Sequence, residues 1–512
     1  MDVRTQMRRS AQMFANREAV VWGDRRLTFA EAWERGIRMA NALIALGIQP
    51  GDRVGVLEDN SIEAADMFLG AAICNAVRVP LYPRNGREAH LHMLGHTNCR
   101  VVVVAEQYAH EVEGFVDDLP DLEHIIVRNS AYEEWLSGYT ANDPDPEIDP
   151  EDNYIIRHTG GTTGLSKGVA YTHRGWLAAG RDWFYSYPPV APGDTCLHLG
   201  PISHGSGYLF VPIWLSGGCN VMLDRFVPEE TLDVMERERI AYMFMVPTMV
   251  NAVLQQPSVG TRDWSNLKCL LISAAPIADD TALKAREVFG EVLYQGYGQT
   301  EVLPVAMMGP RQWFAEVEGS TPLRSCGMPL PFAQLEIRDE DNNPVPVGQS
   351  GQIAAKADGQ MSGFWNNPEA TAERLIDGWV LTGDVGRLDE NGYLYMLDRS
   401  DDMIISGGYN IWPAELENVI SDHPDVIEVA VFGIPDPRWG ETPMAVCVVA
   451  DGATVNEQEI VDLCADRLGS YKKPKRVEIT TEPLPKSPVG KVRRKDLREP
   501  YWEGRERRVG GS

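Results

Sequence analysis

Apolar residues along this chain follow two spacings, which alternate through most of its length. The segment 27–47 repeats apolar residues at the spacing of an amphipathic helix and ends at a glycine, as helices commonly do. Short apolar runs at 101–105, 219–224 and 269–273 predict buried strands. The alternation therefore predicts an α/β fold with layers of helices on largely parallel sheets.

A change of pattern near residues 398–403 marks the predicted domain boundary. The preceding segment contains the turn sequence Glu-Asn-Gly at 390–392, which favours a hairpin. Beyond the boundary, 413–435 predicts a helix and then a strand, and 456–469 predicts a further helix. We expect a large N-terminal domain of layered α/β subdomains at 1–398 and a small α+β domain at 399–512. The polar, proline-rich segment 137–153 is interpreted as a surface connector within the large domain.

The segment 158–169 reads HTGGTTGLSKGV and is the strongest candidate for chemistry. Glycine lets backbone N–H groups converge without side-chain clashes, hydroxyls add hydrogen-bond donors, and a lysine adds positive charge. This combination predicts a loop that wraps a phosphate chain, although a glycine-rich surface loop without function stays an alternative. The candidate phosphate-binding residues are Thr159, Gly160, Gly161, Thr162, Thr163, Gly164 and Lys167.

A Walker A loop is a second alternative for this segment. That motif requires Ser or Thr after the lysine and a helix after the loop, whereas Gly168 follows Lys167 here. Both flanks, YIIRHT and VAYTH, are rich in β-branched and aromatic residues and predict strands. A strand–loop–strand phosphate site is therefore favoured.

Charge and cysteine content narrow the functional class. The net charge of −27 over 512 residues argues against a general nucleic-acid-binding protein. Residues 471–512 nevertheless carry a net charge of +7, which indicates a site for an anionic ligand or a solvated basic tail. The eight cysteines show no CxxC spacing, so neither a zinc site nor a disulfide framework is predicted, and a reducing cytoplasm fits best. No apolar run predicts a signal peptide or a membrane span, while peripheral membrane contact stays open.

The loop TGGTTGLSKGV resembles the signature loop of adenylate-forming enzymes, the superfamily of acyl-CoA synthetases, non-ribosomal peptide adenylation domains and beetle luciferases. The commoner family form has Ser at the position of Gly160 and Pro at that of Ser166. Gly160 removes one hydroxyl donor, so its share of phosphate binding would fall to the backbone. Further family motifs follow in family order up to residue 491.

The second motif is YQGYGQTEV at 294–302. A glutamate beside a hydroxyl suits Mg²⁺, which prefers oxygen ligands and keeps substrate phosphates and water as the others. An ordinary strand turn with an exposed Glu is the alternative. The resemblance to the YGxTE motif implies that Glu301 holds Mg²⁺ and that Tyr297, Gly298 and Thr300 line the nucleotide, with Tyr297 suited to stack on adenine.

Two further turns resemble nucleotide-binding motifs. In SAAPI, the small residues Ala274, Ala275 and Pro276 would let a flat base approach the backbone, although a tight strand end explains them equally well. LTGDVG resembles the GWxxTGD marker, in which Asp384 would accept both ribose hydroxyls. The resemblance also implies that the side chain of Arg399 reaches the ribose.

The resemblance assigns catalysis to few side chains. Lys491, in the GKxxR pattern, would enter from the small domain and stabilise charge around the substrate carboxylate and the α-phosphate. With Lys167, Thr300 and Glu301 it forms the predicted catalytic set. His204, in PISHGSGY, is interpreted as a gate of the acyl pocket. Gly205, Ser206 and Gly207 stand where amino-acid-activating relatives place an Asp, which argues against an amino-acid substrate.

The small domain carries the residues that the resemblance assigns to CoA. Gly407 and Gly408 of SGGYN would form the pantetheine tunnel, and the phosphates of CoA would lie near Trp439, Lys473 and Lys475. The pivot of a rotation that exchanges Lys491 for this loop resembles Asp401.

These motifs imply an AMP-forming carboxylic acid:CoA ligase that uses Mg²⁺, with ATP and CoA as co-substrates. Transfer of the acyl group to a carrier protein, its oxidation, and a non-catalytic nucleotide-binding protein are the alternatives. Small or apolar residues near His204, 247–249, Gly296 and 302–305 predict a hydrophobic pocket for a fatty, aromatic or alicyclic acid. The oligomeric state stays open between a monomer and a homo-oligomer.

Overall fold

The computed structural model describes residues 1–159, 166–275, 277–399, 402–406, 409–411, 413–436, 439–468, 472–486 and 492–503. The strands are β1 (Glu18–Trp22), β2 (Arg25–Thr28), β3 (Arg53–Leu57), β4 (Val77–Pro80), β5 (Cys99–Ala105), β6 (His124–Arg128), β7 (Asn153–Thr159), β8 (Lys167–Thr172), β9 (Thr195–His198), β10 (Cys219–Met222), β11 (Tyr242–Met245), β12 (Cys269–Ile272), β13 (Leu293–Gln299), β14 (Val302–Met308), β15 (Met328–Pro329), β16 (Ala333–Arg338), β17 (Gly351–Ala357), β18 (Gly363–Phe364), β19 (Leu375–Ile376), β20 (Trp379–Leu388), β21 (Leu394–Arg399), β22 (Ile404–Ser406), β23 (Tyr409–Ile411), β24 (Val426–Asp436), β25 (Gly440–Val449) and β26 (Arg476–Thr480).

The α-helices are α1 (Val3–Met13), α2 (Phe29–Ala45), α3 (Ala64–Ile73), α4 (Arg87–His96), α5 (Phe115–Asp118), α6 (Tyr132–Ser137), α7 (His173–Ser186), α8 (Phe210–Leu215), α9 (Pro228–Arg237), α10 (Pro247–Leu254), α11 (Asp279–Phe289), α12 (Pro310–Trp313), α13 (Pro368–Arg374), α14 (Pro413–Ser421), α15 (Glu457–Leu468) and α16 (Arg494–Trp502). Among the described residues, no helix is long and apolar enough to cross a membrane.

Two large sheets build most of the N-terminal part. In the first, the order is β15-β14-β13-β12-β11-β9-β10-β1-β2, and the strands from β13 to β1 run parallel. In the second, the order is β18-β8-β7-β4-β3-β5-β6, with parallel pairs from β7 to β6. The strands predicted at 101–105, 219–224 and 269–273 correspond to β5, β10 and β12, so the expected α/β architecture is confirmed.

Antiparallel pairing dominates two smaller sheets. Strands β16, β17, β20, β19 and β21 form one of them, and the predicted turn at 390–392 joins β20 to β21 with Gly392 at a φ of 84°. The other sheet has the order β23-β22-β25-β24, with β26 parallel to β25. The sequence pattern indicated the hairpin but gave no signal for a separate antiparallel sheet within 333–399.

Helix α2 shows how local sequence fixes one element. Thr28 accepts a hydrogen bond from the backbone of Glu31, and the Glu31 carboxylate accepts one from the backbone of Thr28, so the first turn has a complete capping box. Its apolar face packs on α3, where a Cβ on Gly36 would lie 2.5 Å from Leu69 Cβ and one on Gly70 would lie 2.5 Å from Met39 Cγ. The two glycines therefore permit the close approach of these helices.

All eight cysteines are buried and unbridged. Burial raises the pKa of the Cys74 thiol to about 12. Burial also raises the pKa of the Cys99 and Cys326 thiols to about 12. Protonated, buried thiols pack as small apolar side chains.

His173 lies at the start of α7 and holds the first turn of α1. Its Nδ1 accepts a hydrogen bond from the backbone N–H of Val3 at 3.2 Å, and its Nε2–H donates to Asn75 at 3.0 Å. Burial lowers the pKa of His173 to about 4, and burial also lowers that of His198 to about 4. The unfolded chain therefore binds protons at these positions at a higher pH than the folded chain.

We expect acid to destabilise the fold through these histidines. Each should remove about 1.4 kcal/mol of unfolding free energy per pH unit from about pH 6.5 down to about pH 4. The measurement is urea denaturation at pH 7 and at pH 5. The variant His173→Gln, which offers an acceptor and a donor without titrating, should show a shallower loss. An identical pH dependence in variant and wild type would contradict this role of His173.

Candidate functional site

Strands β7 and β8 form the antiparallel hairpin that frames the candidate phosphate loop. Thr159 pairs with Lys167 at its open end, so the predicted strand–loop–strand arrangement is what the structure shows. Lys167 is exposed, and its Nζ lies 5.4 Å from the centre of the Phe364 ring. Five of the predicted phosphate-binding residues lie outside the described residues: Gly160, Gly161, Thr162, Thr163 and Gly164.

Gly168, which excluded a Walker motif, has a packing role in this hairpin. A Cβ at this position would lie 2.7 Å from Ile156 Cγ2, closer than real Cβ contacts come. The residue after the lysine is therefore glycine because β8 packs against the neighbouring strand at this point.

Three histidines lie close together at the hairpin: His158 on β7, and His92 and His96 on α4. His92 Nε2–H donates to the carbonyl of Ser166 at 2.9 Å, and His96 Nδ1 lies 3.4 Å from His158 Nε2. Burial, together with His96 and His92, lowers the pKa of His158 to about 3. A neutral His158 therefore precedes the loop.

The turn between β13 and β14 places Thr300 and Glu301 next to the hairpin. The hydroxyl of Tyr171, on β8, donates to the carbonyl of Thr300 at 2.9 Å. The carbonyl of Glu301 accepts from the backbone N–H of Met361 at 2.8 Å, and the Glu301 residue is 8% exposed. Two hydrogen bonds thus fix the backbone of this motif against elements that are distant in sequence.

Asp384 lies in β20 with its carboxylate held by two side chains of β13. Its Oδ2 accepts from the Tyr297 hydroxyl at 2.8 Å and from Gln299 Nε2 at 2.6 Å. The backbone of Asp384 pairs with that of Arg399 across β20 and β21. The side chain of Arg399 lies outside the described residues.

The Tyr297 ring, for which stacking on adenine stays a prediction, packs inside the protein. It is 4% exposed and belongs to an apolar cluster with Val302, Val305 and Ile353, so it presents little surface on which adenine could stack. Burial and the nearby Asp384 carboxylate raise its pKa well above the ordinary value, which keeps the hydroxyl protonated as a donor. The contact that the structure shows is a positioning contact to Asp384. Gly298, next to it, is exposed.

The SAAPI turn ends β12, with Ala274 and Ala275 exposed and Pro276 outside the described residues. Ala274 has a φ of +74°, in the left-handed region that favours glycine. The hydroxyl of Ser273 donates to the carbonyl of Gly296 at 2.5 Å and ties this turn to β13. The turn is therefore held beside Tyr297 in a strained conformation.

We expect Ala274→Gly to stabilise the protein. Relief of the left-handed strain should exceed the entropy that glycine adds to the unfolded chain, for a net gain of about 0.5–1 kcal/mol. Urea denaturation measures this change, and Ala275→Gly serves as the matched control because Ala275 is not among the residues with positive φ. A lower stability for Ala274→Gly than for the control variant would contradict the prediction.

His204 precedes a short 3₁₀ turn, Gly205–Tyr208. Its ring meets the ring of Tyr82 edge-on, with centres 5.2 Å apart, and the Tyr82 hydroxyl donates to the carbonyl of His158. A Cβ on Gly207 would lie 2.0 Å from the carbonyl oxygen of Ile202. Only glycine fits there, so this loop is held tightly next to the phosphate hairpin.

Trp439 and Lys475 lie together in turns that adjoin strands of the small C-terminal sheet. Lys475 Nζ is 5.8 Å from the centre of the Trp439 ring, and Trp439 is 37% exposed. Lys473 lies two residues before Lys475 in the sequence and is partly buried. The predicted pivot, tunnel residues and catalytic lysine lie outside the described residues: Asp401, Gly407, Gly408 and Lys491.

Comparison with known families identifies the family of this chain. Residues 7–365 match the family described as AMP-binding enzyme, and residues 415–491 match the AMP-binding enzyme C-terminal domain. The chain belongs to the AMP-binding enzyme family. The resemblance to adenylate-forming enzymes is thereby confirmed.

Relatives of this AMP-binding enzyme match over nearly full length. A feruloyl-CoA synthase of an Amycolatopsis species is 35% identical over 96% of this chain and 98% of its own. The fatty acid–[acyl-carrier-protein] ligase ScoC of Streptomyces coeruleorubidus is 31% identical over 96% of this chain and 95% of its own. The solved structure of the amide bond synthetase McbA from Marinactinospora thermotolerans has a TM-score of 0.88 at 28% identity, covering 98% of this chain and 100% of that one.

Sequence reasoning missed two features of this AMP-binding enzyme. One is the histidine group His92, His96 and His158, which only the packing of α4 on the hairpin brings together. The other is Arg157, which is 1% exposed on β7. A charged residue in a predicted buried strand was the available signal for Arg157.

Proposed function

We propose that the protein is an ATP-dependent, AMP-forming carboxylic acid:CoA ligase. The observation that carries the proposal is the meeting of three motifs at one place. Tyr171 of the phosphate hairpin bonds the carbonyl of Thr300, and β13 of the same motif holds the carboxylate of Asp384. A phosphate loop, a buried glutamate and an acceptor for ribose hydroxyls together suit a nucleoside triphosphate.

In the first half-reaction, the acid carboxylate attacks the α-phosphorus of ATP and pyrophosphate leaves. Lys167 and the glycine–threonine loop would hold the phosphates, and Asp384 would accept hydrogen bonds from the ribose hydroxyls. The exposed turn at Ala274 would carry the adenine. Lys491 would stabilise the charge that accumulates around the α-phosphate.

Magnesium enters this proposal with ATP. Glu301 offers one buried carboxylate, which fits an ion that takes its other oxygen ligands from phosphates and water. In the described ranges, no group of three or more His, Cys, Asp or Glu side chains could hold a metal. When bound, the ion would neutralise phosphate charge, while Glu301 and the backbone contacts of Thr300 fix where it sits.

In the second half-reaction, the CoA thiol attacks the carbonyl carbon of the acyl-adenylate and AMP leaves. Trp439, Lys473 and Lys475 would bind the anionic nucleotide end of CoA, and Gly407 and Gly408 would line the tunnel. The division into domains 1–398 and 399–512, with a pivot at Asp401, belongs to this proposal because each half-reaction needs a different surface at one carbonyl.

Delivery of the acyl group to a carrier protein is the second candidate, since ScoC is named for that acceptor. The pairing of Lys475 with the exposed Trp439 favours a small anionic acceptor that can stack on an aromatic ring. A non-catalytic nucleotide-binding protein would bind ATP without exchanging pyrophosphate.

The test is a panel of carboxylic acids with MgATP, assayed for AMP release with and without CoA. We expect release that depends on both the acid and CoA, and exchange of labelled pyrophosphate into ATP without CoA. AMP release that requires a carrier protein and ignores CoA would overturn the choice of acceptor. No pyrophosphate exchange with any acid would overturn adenylation.

A further inference from the structure

Arg157 differs from the other deeply buried arginines in the described residues because it has no carboxylate partner. Each of the others forms an ion pair with a nearby carboxylate. These pairs are Arg4 with Asp143 at 2.6 Å, Arg78 with Glu58 at 3.0 Å and Arg338 with Glu336 at 2.8 Å. A buried charge without a partner is costly, so its retention calls for an explanation.

The contacts of Arg157 leave hydrogen-bonding capacity unused. Its Nη2 donates to the carbonyl of Ser203 at 3.1 Å, and its guanidinium lies 4.0 Å from the centre of the Tyr208 ring. Its Nε is buried without an acceptor. A guanidinium with free N–H groups is a geometrically matched receptor for a carboxylate.

Two hydroxyl groups of residues that contact Arg157 also leave hydrogen-bonding capacity unused. The side-chain oxygens of Ser203 and Tyr208 are buried and have no hydrogen-bond partner in the described structure. Burial raises the pKa of Tyr208, and the Arg157 guanidinium is close enough to act against that rise. One charged and two neutral donors with unused hydrogen-bonding capacity are therefore buried in this part of the fold, a condition that an anionic oxygen would relieve.

This location adjoins the proposed reaction site. Arg157 is two residues before Thr159 on β7 and so shares its face of the strand. Ser203 directly precedes His204, the predicted gate of the acyl pocket, in the sequence. The guanidinium lies against the rings of Tyr208, a partly exposed residue, and Trp176, whose centres are 4.0 Å and 5.8 Å away.

We propose that Arg157 binds a carboxylate of the acid substrate, an inference that rests on the proposed ligase function. The carboxylate is either a second one on the acyl tail or the one that reacts with ATP. In both cases the protein recognises an anionic oxygen of the acid. The hydrophobic pocket predicted from the sequence would therefore have a polar group beside it. Arg157 is then a substrate-binding residue with the hydroxyls of Ser203 and Tyr208 beside it.

The first experiment compares wild type, Arg157→Met and Arg157→Lys with monocarboxylic and dicarboxylic acids of equal chain length. A second-carboxylate site predicts that Arg157→Met loses at least about 30-fold in kcat/KM for the dicarboxylic acids, with little change for their monocarboxylic partners. Arg157→Lys should retain part of the preference. The matched control is Arg181→Met on α7, whose arginine side chain is 47% exposed and pairs with Asp182.

The second experiment separates the two sources of the carboxylate. A site for the reacting carboxylate predicts an equal loss for both acid types in pyrophosphate exchange and normal thioester formation from supplied acyl-adenylate, which has no free reacting carboxylate. Equal losses in both half-reactions with the monocarboxylic acids, or no loss in either half-reaction with either acid type, would overturn the proposal and leave Arg157 with a structural role.

Calorimetric titration of the acids into wild type and Arg157→Met, without ATP or CoA, keeps the inference separate from the proposed function. Absence of any CoA-dependent AMP release would refute the ligase function, while the titration still reports carboxylate binding. Weaker binding to Arg157→Met supports the inference. Identical binding isotherms for the two proteins would refute it even if the ligase activity is present.

Discussion

Lys491→Ala is expected to slow ATP–pyrophosphate exchange by about 100- to 1,000-fold while sparing thioester formation from supplied acyl-adenylate. The attack of a carboxylate on a triphosphate brings several negative charges together, and a lysine point charge at the α-phosphate stabilises the transition state more than the ground state. Thioester formation breaks a bond to the carbonyl carbon instead, so it does not need this charge. Rapid-quench assays of each half-reaction measure the two effects separately.

Lys495→Ala is the matched control for this variant. Lys495 lies on α16 close in sequence, its side chain is 50% exposed, and its partner is Glu499 at 3.5 Å. Both half-reactions should proceed in it as in wild type, because an exposed i,i+4 pair contributes little to stability. Normal pyrophosphate exchange in Lys491→Ala, or equal damage to both half-reactions, would remove Lys491 from the proposed site.

Asp384→Asn is expected to raise the KM for ATP by roughly 10- to 100-fold, with a smaller change in kcat. The carboxylate would accept charged hydrogen bonds from the ribose, each stronger than a neutral one. Asparagine keeps the shape but loses the charge and replaces one acceptor by a donor. That donor would face Tyr297 and Gln299, which already donate to this position. Steady-state kinetics with ATP varied at saturating acid measures the change.

Tyr297→Phe provides the graded comparison. It removes one hydrogen bond to Asp384 Oδ2 but leaves the carboxylate charge and the bond from Gln299. The KM for ATP should therefore rise only about fivefold, the effect of one ordinary hydrogen bond. Thermal unfolding of both variants checks that the fold is intact. A larger effect from Tyr297→Phe than from Asp384→Asn would contradict the ribose role of Asp384.

The structure changes the view of how the acid is chosen. Sequence patterns around His204 and Gly296 predict a hydrophobic pocket, and the half-buried Phe244 close to Gly205 agrees with an apolar wall. Arg157, however, places a buried guanidinium without a carboxylate partner among the described residues next to the same loop. An acid with a hydrophobic body and an anionic oxygen would satisfy both surfaces, and the paired acid panel tests this combination directly.

Local sequence was sufficient to predict several of the elements and the order of the motifs. The spacing in α2, the apolar runs of β5, β10 and β12, and the strands on both sides of the phosphate loop are properties of short segments. Their physical causes, such as the Thr28–Glu31 capping box, lie within a few residues of each other. The turn at 390–392 was predictable for the same reason.

Only the tertiary structure decided which side chains meet. Tyr297 and Asp384 are 87 residues apart, and their hydrogen bond exists because β13 and β20 belong to different sheets that pack together. The left-handed φ of Ala274 contradicts the preference of alanine and is imposed by its surroundings. The Nε of Arg157 is buried without an acceptor because of how several elements pack around it. By itself, the sequence determined the strands, helices and family, because these depend on local periodicity and motif order. The positions of the ribose acceptor and the buried guanidinium depend on long-range packing, which no local pattern records.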